Sequence, residues 1–218
     1  MYPRDILDLA KFIQQPGLPL ALQQFIFDVD NPDLAGMPSP ASLPDLPQFQ
    51  ARIHVHHSAL ATFFAPSDLC GAGGMRQERI RSTPSWYGHP RRDTVFVVLD
   101  ESLLGMEGMV IARVQLFLSF NYKRVDYACV YVNWLVRDDD DPDPDTGLWT
   151  VSLEEHRGKP TSQIIDVRTI ARAAHLIPVY GLGSISPEVQ YYNSLDSYKQ
   201  FFVNSFVDHH VHEFLSDC

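Results

Sequence analysis

At 218 residues, 45% apolar and 20% charged, the chain is long enough for one generous domain whose core needs neither disulfides nor a metal. Its formal net charge of −10 speaks against a protein wrapped wholesale in nucleic acid, and charged or proline residues interrupt every apolar run before it could span a bilayer. Cys70, Cys129 and Cys218 are widely spaced and odd in number, which argues against a disulfide framework and for a reducing intracellular compartment.

The opening MYPRDILDLAKF is acidic and amphipathic, unlike a secretory signal. Ile6, Leu9, Ala10 and Ile13 recur at helical spacing, and Leu20 to Phe27 repeat the pattern after Pro16, Gly17 and Pro19, so residues 1–30 are expected to form two short helices. Residues 31–48 gather five prolines with Gly, Ser and Asp into an extended strap. From Phe49 onward the period is that of strands. Residues 51–57 and 58–64 read as strands before the glycine loop Cys70-Gly71-Ala72-Gly73-Gly74, and 94–99 and 109–120 read as two more. Residues 76–92, between the glycine loop and residue 94, read as a long loop.

The segment from Asp126 to Trp149 carries the strongest pattern. Cys129, Tyr131, Asn133 and Leu135 alternate with Val130, Val132, Trp134 and Val136, so the strand is apolar on nearly every position of both faces and belongs inside a barrel or sandwich. Asp138 to Asp145, with six acids and two prolines, then forms a solvated turn. Further strands are expected at 149–153 and 163–167, a short helix or turn at 169–174, and one more apolar segment at 175–180. Ser194 as N-cap and Leu195, Tyr198, Phe202 and Phe206 at helical spacing predict a closing helix over 194–215. The expected fold is α+β and mainly β: a small distorted β-barrel over residues 49–218 with an N-terminal helix pair and a C-terminal helix.

Motifs that carry chemistry are scarce. CGAGGMR fits neither G-x-G-x-x-G nor a P-loop and reads as a turn needing positive φ. A calcium loop starting at Asp141 would need Gly at 146 and Glu at 152, where the chain has Thr146 and Ser152. No G-x-S-x-G or acid–base pair is present, so no residue is assigned a catalytic role and no cofactor is expected. His54 and His56 share a strand face, and His209 and His212 share a helix side, which would give a nitrogen-rich metal site if the two elements met. Charge placement is more suggestive. Residues 76–92 hold Arg76, Arg79, Arg81, Arg91 and Arg92 against the single acid Glu78, with Trp86 and Tyr87 between them. Arginines interleaved with aromatics can hold phosphates and stack bases, or grip a partner peptide.

Several runs occur together and in order: HVHHSALATFFAPSDLCGAGGMRQERIRSTPSWYGHPRRDTVFV, LLGMEGMVIARVQLFLSFNYKRVDYACVYVNWLV, DPDTGLW, IIDVRTIARAAHLIPVYG and SLDSYKQFFVNSFVDHHVHEFL. From about Leu9 onward the chain resembles the C-terminal region of Plavaka-type transposases, CACTA-like elements of basidiomycete fungi. In that family the DDE nuclease lies upstream of this region, so the resemblance implies no catalytic residue here. It implies DNA and the transposase body as company, and the nucleus as location. The order TVFVVLD, MVIARVQLFLSF, YACVYVNWLVR, GLWTVSL, QIIDVRTIARAAHLIPV also resembles a bromo-adjacent-homology (BAH) domain, a distorted barrel that binds chromatin proteins or nucleosomes. Fold likeness alone assigns no function.

Overall fold

The two longest strands form the spine of the molecule. In the computed structural model, which describes residues 2–34, 49, 51–66, 73–181 and 183–216, β6 (Met109–Tyr122) and β7 (Val125–Arg137) pair antiparallel from Tyr122 opposite Val125 to Ile111 opposite Leu135. Lys123 and Arg124 make the turn with φ of 50° and 66°, the left-handed pair that a two-residue hairpin of native twist requires. The acidic run after β7 is a solvated loop, as expected; Asp143 folds it locally by accepting from the Thr146 backbone N–H at 2.8 Å.

Before the spine come α1 (Ile6–Phe12), α2 (Leu18–Asp30), β1 (His54–His56), β2 (Ser58–Phe64), β3 (Met75–Trp86), β4 (His89–Arg92) and β5 (Thr94–Val98). After it come β8 (Thr150–Leu153), β9 (Glu155–His156), β10 (Lys159–Pro160), β11 (Ser162–Asp166), β12 (Ile170–Ala174), β13 (Leu176–Pro178), α3 (Ser194–Ser197), β14 (Gln200–Val203) and α4 (His209–Leu215). The main sheet runs β12-β5-β6-β7-β8-β14-β13, with β1 added to β6 and β11 to β7. Its first and last strands are consecutive in the chain and separated by His175 alone, so the sheet curls into a nearly closed antiparallel barrel. A separate β2-β3-β4 sheet covers one side.

Both faces of the spine are buried, as the Asp126 to Trp149 pattern predicts. Val130, Val132, Ala112, Val114 and Phe117 pack with Val95, Val97 and Ile80 under the three-stranded sheet. On the opposite face Ile111 and Leu135 join Phe96, Val151, Phe201, Val203 and Val211 of α4. Further along that face Leu116, Leu118, Cys129 and Tyr131 take the helix pair, through Leu9, Leu18, Leu22 and Ile26. The thiol of Cys129 is inert there, because burial pushes its pKa up to about 12. Asp5 caps α1 by accepting from the N–H groups of Leu7 and Asp8 at 2.9 and 3.1 Å. At the far end of α2, Asp30 accepts from the Tyr122 hydroxyl at 2.8 Å and from Lys123 Nζ at 2.6 Å, which pins the helix to the tip of the spine.

Three expectations need correction. The helix expected over 194–215 is a short helix, a strand and a second helix. The run Gln200–Val203 sits between β8 and β13, where Phe201 and Val203 face the barrel; a short apolar run fits either period, and pairing on both sides decides for the strand. The helix or turn expected at 169–174 is β12, which pairs with β5. Residues 76–92 are a β-hairpin and no loop. Most of the proline-rich strap (35–48) and residues 70–72 of the glycine loop lie outside the described residues, as do Cys70 and Cys218. Gly73 and Gly74 have the positive φ expected of that loop, and a Cβ on Gly74 would come within 2.7 Å of the Phe64 ring. Among the described residues no helix is long and apolar enough to cross a membrane.

One buried charge ties the barrel closure to the covering sheet and to α4. Arg172 of β12 is 3% exposed. Its fork donates to both Asp208 oxygens at 3.1 and 2.7 Å, with Glu78 of β3 at 3.4 Å and Arg76 at 3.5 Å from Asp208. Arg172 Nη1 also lies 2.8 Å from Nδ1 of His210, and since a guanidinium can only donate, that nitrogen accepts and the ring is neutral. Burial, then the Arg172 charge, holds the His210 pKa below its ordinary value. The Phe63 ring of β2 lies under Arg172, 4.6 Å away, and stacks on His210 at 4.9 Å. Burial opposes ionisation of Asp208, yet the Arg172 and Val211 hydrogen bonds outweigh it and hold the carboxyl below the usual range.

Asp208→Asn tests this knot, because asparagine still caps α4 as well as aspartate does while the ion pair with Arg172 is removed. We expect urea unfolding at neutral pH to show a loss of about 3 kcal/mol. The native pKa of Asp208 lies below its unfolded value, so the wild-type advantage is full above the ordinary aspartate pKa of 3.8 and fades as pH falls through the native one. A difference below about 0.5 kcal/mol, the scale of ordinary surface changes, would refute the knot.

Candidate binding surface on the arginine–aromatic hairpin

Strand alternation sorts the five arginines. On β3, Arg76, Glu78, Ile80 and Ser82 share one face. Ile80 is core, Ser82 donates its hydroxyl to the Gln115 carbonyl at 2.8 Å, and Arg76 joins the Arg172 knot. The other face carries Arg79 and Arg81. Arg79 donates to the Ser58 hydroxyl at 3.0 Å, and Arg81 lies over the Trp86 ring, 4.2 Å from its centroid. On β4, Arg91 is 5.5 Å from the same ring and is fixed by Asp93, with Nε to Oδ1 at 2.7 Å. Asp93 also accepts from the Arg81 backbone N–H at 2.8 Å, which locks the two strands in register. Arg92 is half-buried. Burial, then the neighbouring Arg113 charge, lowers its pKa. The structure thus brings Arg81 and Arg91 to Trp86 at the tip of the hairpin, leaves Arg79 further along β3 beside Ser58 of β2, turns Arg76 inward, and sets Arg92 in between.

The turn itself is unusual. Trp86 faces His89 across the ladder, and Tyr87 and Gly88 between them have φ of 51° and 88°, the two left-handed residues of a type I′ turn. Glycine suits its position. A tyrosine in the left-handed region is strained, and Tyr87 is 84% exposed, so neither backbone preference nor burial accounts for it.

Two further aromatics adjoin the hairpin. Tyr192 stacks on His89 with ring centroids 3.6 Å apart and planes within 4°, and Tyr191 meets Tyr192 edge-on at 5.2 Å while itself 81% exposed. Trp86, Tyr87, His89, Tyr191 and Tyr192 form a continuous aromatic ledge flanked by guanidiniums. Sequence reasoning missed Tyr191 and Tyr192. The signal was present, since a Tyr-Tyr pair between Gln190 and Asn193 sits in a polar, proline-led stretch where no core position would be expected.

The histidine clusters do not converge. His54 and His56 are exposed on β1, opposite Ser119 and Phe117 of β6, and His56 Nε2 lies 2.8 Å from the Ser119 hydroxyl. His209 lies 3.2 Å from Glu213, and His212 stacks on Phe206 on α4, which packs against the other end of the barrel core. Among the described residues no group of three or more His, Cys, Asp or Glu side chains is placed to hold a metal, so the expected alternative of a site shared by His54, His56, His209 and His212 is not realised. Compared with known protein families, curated proteins and solved structures, the chain finds no match.

If Tyr87 is kept for binding and not for folding, replacing it should not harm the fold. Tyr87→Asn puts a residue tolerant of the left-handed region into the turn, and we expect denaturant unfolding to show unchanged stability or a gain of up to about 1 kcal/mol. A clear loss of stability would show that the tyrosine holds the hairpin together.

Proposed function

We propose that this is a non-catalytic, transposase-derived module that binds DNA through the β3–β4 hairpin, with Arg79 and Arg81 on phosphates and the exposed faces of Tyr87, Trp86 and Tyr191 stacking on bases. The observation that carries the reading is the strained, exposed Tyr87 beside a Trp86 ring covered by the Arg81 and Arg91 guanidiniums, at the tip of a hairpin in a chain otherwise acidic. Rigid aromatic faces with guanidiniums beside them suit unstacked bases, whose π-faces are sequence-tolerant partners, better than the edges of a closed duplex. Single-stranded or distorted DNA is therefore the favoured form. The resemblance to the tail of Plavaka-type transposases supports the same partner and a nuclear location. The likeness to BAH domains supports a chromatin protein as the second reading, for which the same ledge would receive a peptide.

Fluorescence anisotropy with labelled single-stranded and duplex DNA across a salt series tests the proposal. Single strands should bind more tightly, with affinity falling as salt rises. Arg79→Ala/Arg81→Ala should reduce the slope of log affinity against log salt by roughly 1.4, about 0.7 for each phosphate no longer neutralised. Tyr87→Asn should weaken binding at every salt, by about 1–3 kcal/mol for one base left without its stacking partner. No binding at low salt, or an unchanged slope in the double variant, would overturn it. Salt-resistant capture of histone-tail peptides in its place would transfer the ledge to a chromatin protein.

A further inference from the structure

Behind the hairpin, between β3, β4, β12 and the residues that open α3, lies a half-open cavity of about 430 Å³. Its wall includes Arg79, Arg91, Arg92 and Arg172 against the carboxylates Glu78 and Asp93, which leaves two positive charges in excess in a chain whose net charge is −10. The two acids are already engaged. Asp93 holds Arg91 at 2.7 Å, and Glu78 accepts from the Ala173 backbone N–H at 3.2 Å and pairs with Arg172. Several donors are not. Arg172 is almost wholly buried and its Nε has no hydrogen-bond partner. Arg79 reaches only a serine hydroxyl among its described polar partners. Arg92 has no carboxylate within 4 Å among the described residues, because the nearby Asp196 is held by Arg113 in two hydrogen bonds of 2.6 and 3.1 Å.

A guanidinium cannot shed its proton, so Arg92 bears both desolvation and the repulsion of Arg113 as a standing cost. Asp196 offsets part of this cost, and an anion bound in the cavity offsets more of it. Arginine forks match the paired oxygens of a phosphate, and the volume admits a phosphate with its sugar. The aromatic ledge adjoins this cavity: Arg91 is shared between its wall and the Trp86 ring, and Tyr191 and Tyr192 lead directly into Ser194 and Leu195 of the wall.

We propose that this cavity binds a phosphate monoester through Arg92, with Arg91 beside it on the wall. The phosphate comes either from a free nucleotide or from the 5′ end of a DNA strand whose bases lie on the ledge; the second source rests on the DNA-binding reading above, and the site itself does not. In both cases the sugar points out of the cavity toward His89 and Tyr192.

Titration calorimetry of the full chain with inorganic phosphate and with adenosine monophosphate reads the site directly. Fluorescence anisotropy with one oligonucleotide, bearing or lacking a 5′-phosphate, separates the sources. Both small ligands should bind, and Arg92→Met should weaken them at least tenfold while the thermal midpoint holds or rises. Should that variant fail to fold, Arg92→Lys keeps the test open, since it retains the charge but removes the planar fork and should weaken phosphate binding several-fold. A strand that binds more tightly with its 5′-phosphate assigns the site to DNA ends. Equal binding of both strands together with binding of the monophosphate assigns it to free nucleotides. Absence of phosphate and monophosphate binding overturns the cavity proposal even where the oligonucleotide binds, while phosphate binding without oligonucleotide binding overturns only the DNA reading of the hairpin.

Discussion

The organisation of this protein depends on one buried cation. Arg172 sits on the strand that closes the barrel, and because the side chain is almost wholly buried its charge must be matched inside the protein. The match comes from two elements: α4, through Asp208 at its N-cap and the neutral ring of His210, and β3, through Glu78. Each partner belongs to an element that would otherwise be held to the barrel only by non-directional apolar packing. A hydrophobic face can slide by a residue without losing much area, but a forked ion pair of 2.7 Å cannot. The knot therefore fixes where the covering sheet and the last helix sit.

That placement has a functional side. Glu78 and Arg76 turn inward to serve the knot, and strand alternation then forces Arg79 and Arg81 outward, where Ser58 holds the first and Trp86 and Asp93 the second. The outward arginines owe their exposure to the inward charges. The same strand thus separates a buried electrostatic anchor from a solvent-facing ledge, and the cavity lies where the two meet.

Much of the fold was legible in the sequence because it rests on periodicity. The two-faced apolar run around Val130 and Tyr131, the helix pair with Leu9 and Leu22, and the acidic loop at Asp138 each announce their environment through local composition. Errors fell where local pattern is ambiguous and long-range pairing decides. Phe201 and Phe202 fit a helical stripe as well as a strand, and only β8 and β13 on either side choose between them. Residues 76–92 looked like a loop because arginines and two prolines dilute the alternation, yet the inward Ile80 and Ser82 suffice for a strand under a barrel. The arginine and Trp86–Tyr87 part of the surface was visible as composition. Tyr191 and Tyr192 carried a local signal in their polar stretch, but their meeting with His89, and that of Arg172 with Glu78, unite positions about a hundred residues apart that carry no shared signature.

The single residue that separates β12 from β13 has a consequence for how the barrel is made. Because His175 alone connects the two terminal strands of the sheet, neither can dock by itself: β12 must find β5, far earlier in the chain, while β13 must find β14, which follows it across the Tyr191 loop. The spine can zip from its tight turn with only local loops to close, but closure has to wait for both distant pairings together. β12 and β13 stay the two ends of the sheet, joined through the chain at His175, and the docking of β12 on β5 is what sets Arg172 against Glu78 and Asp208.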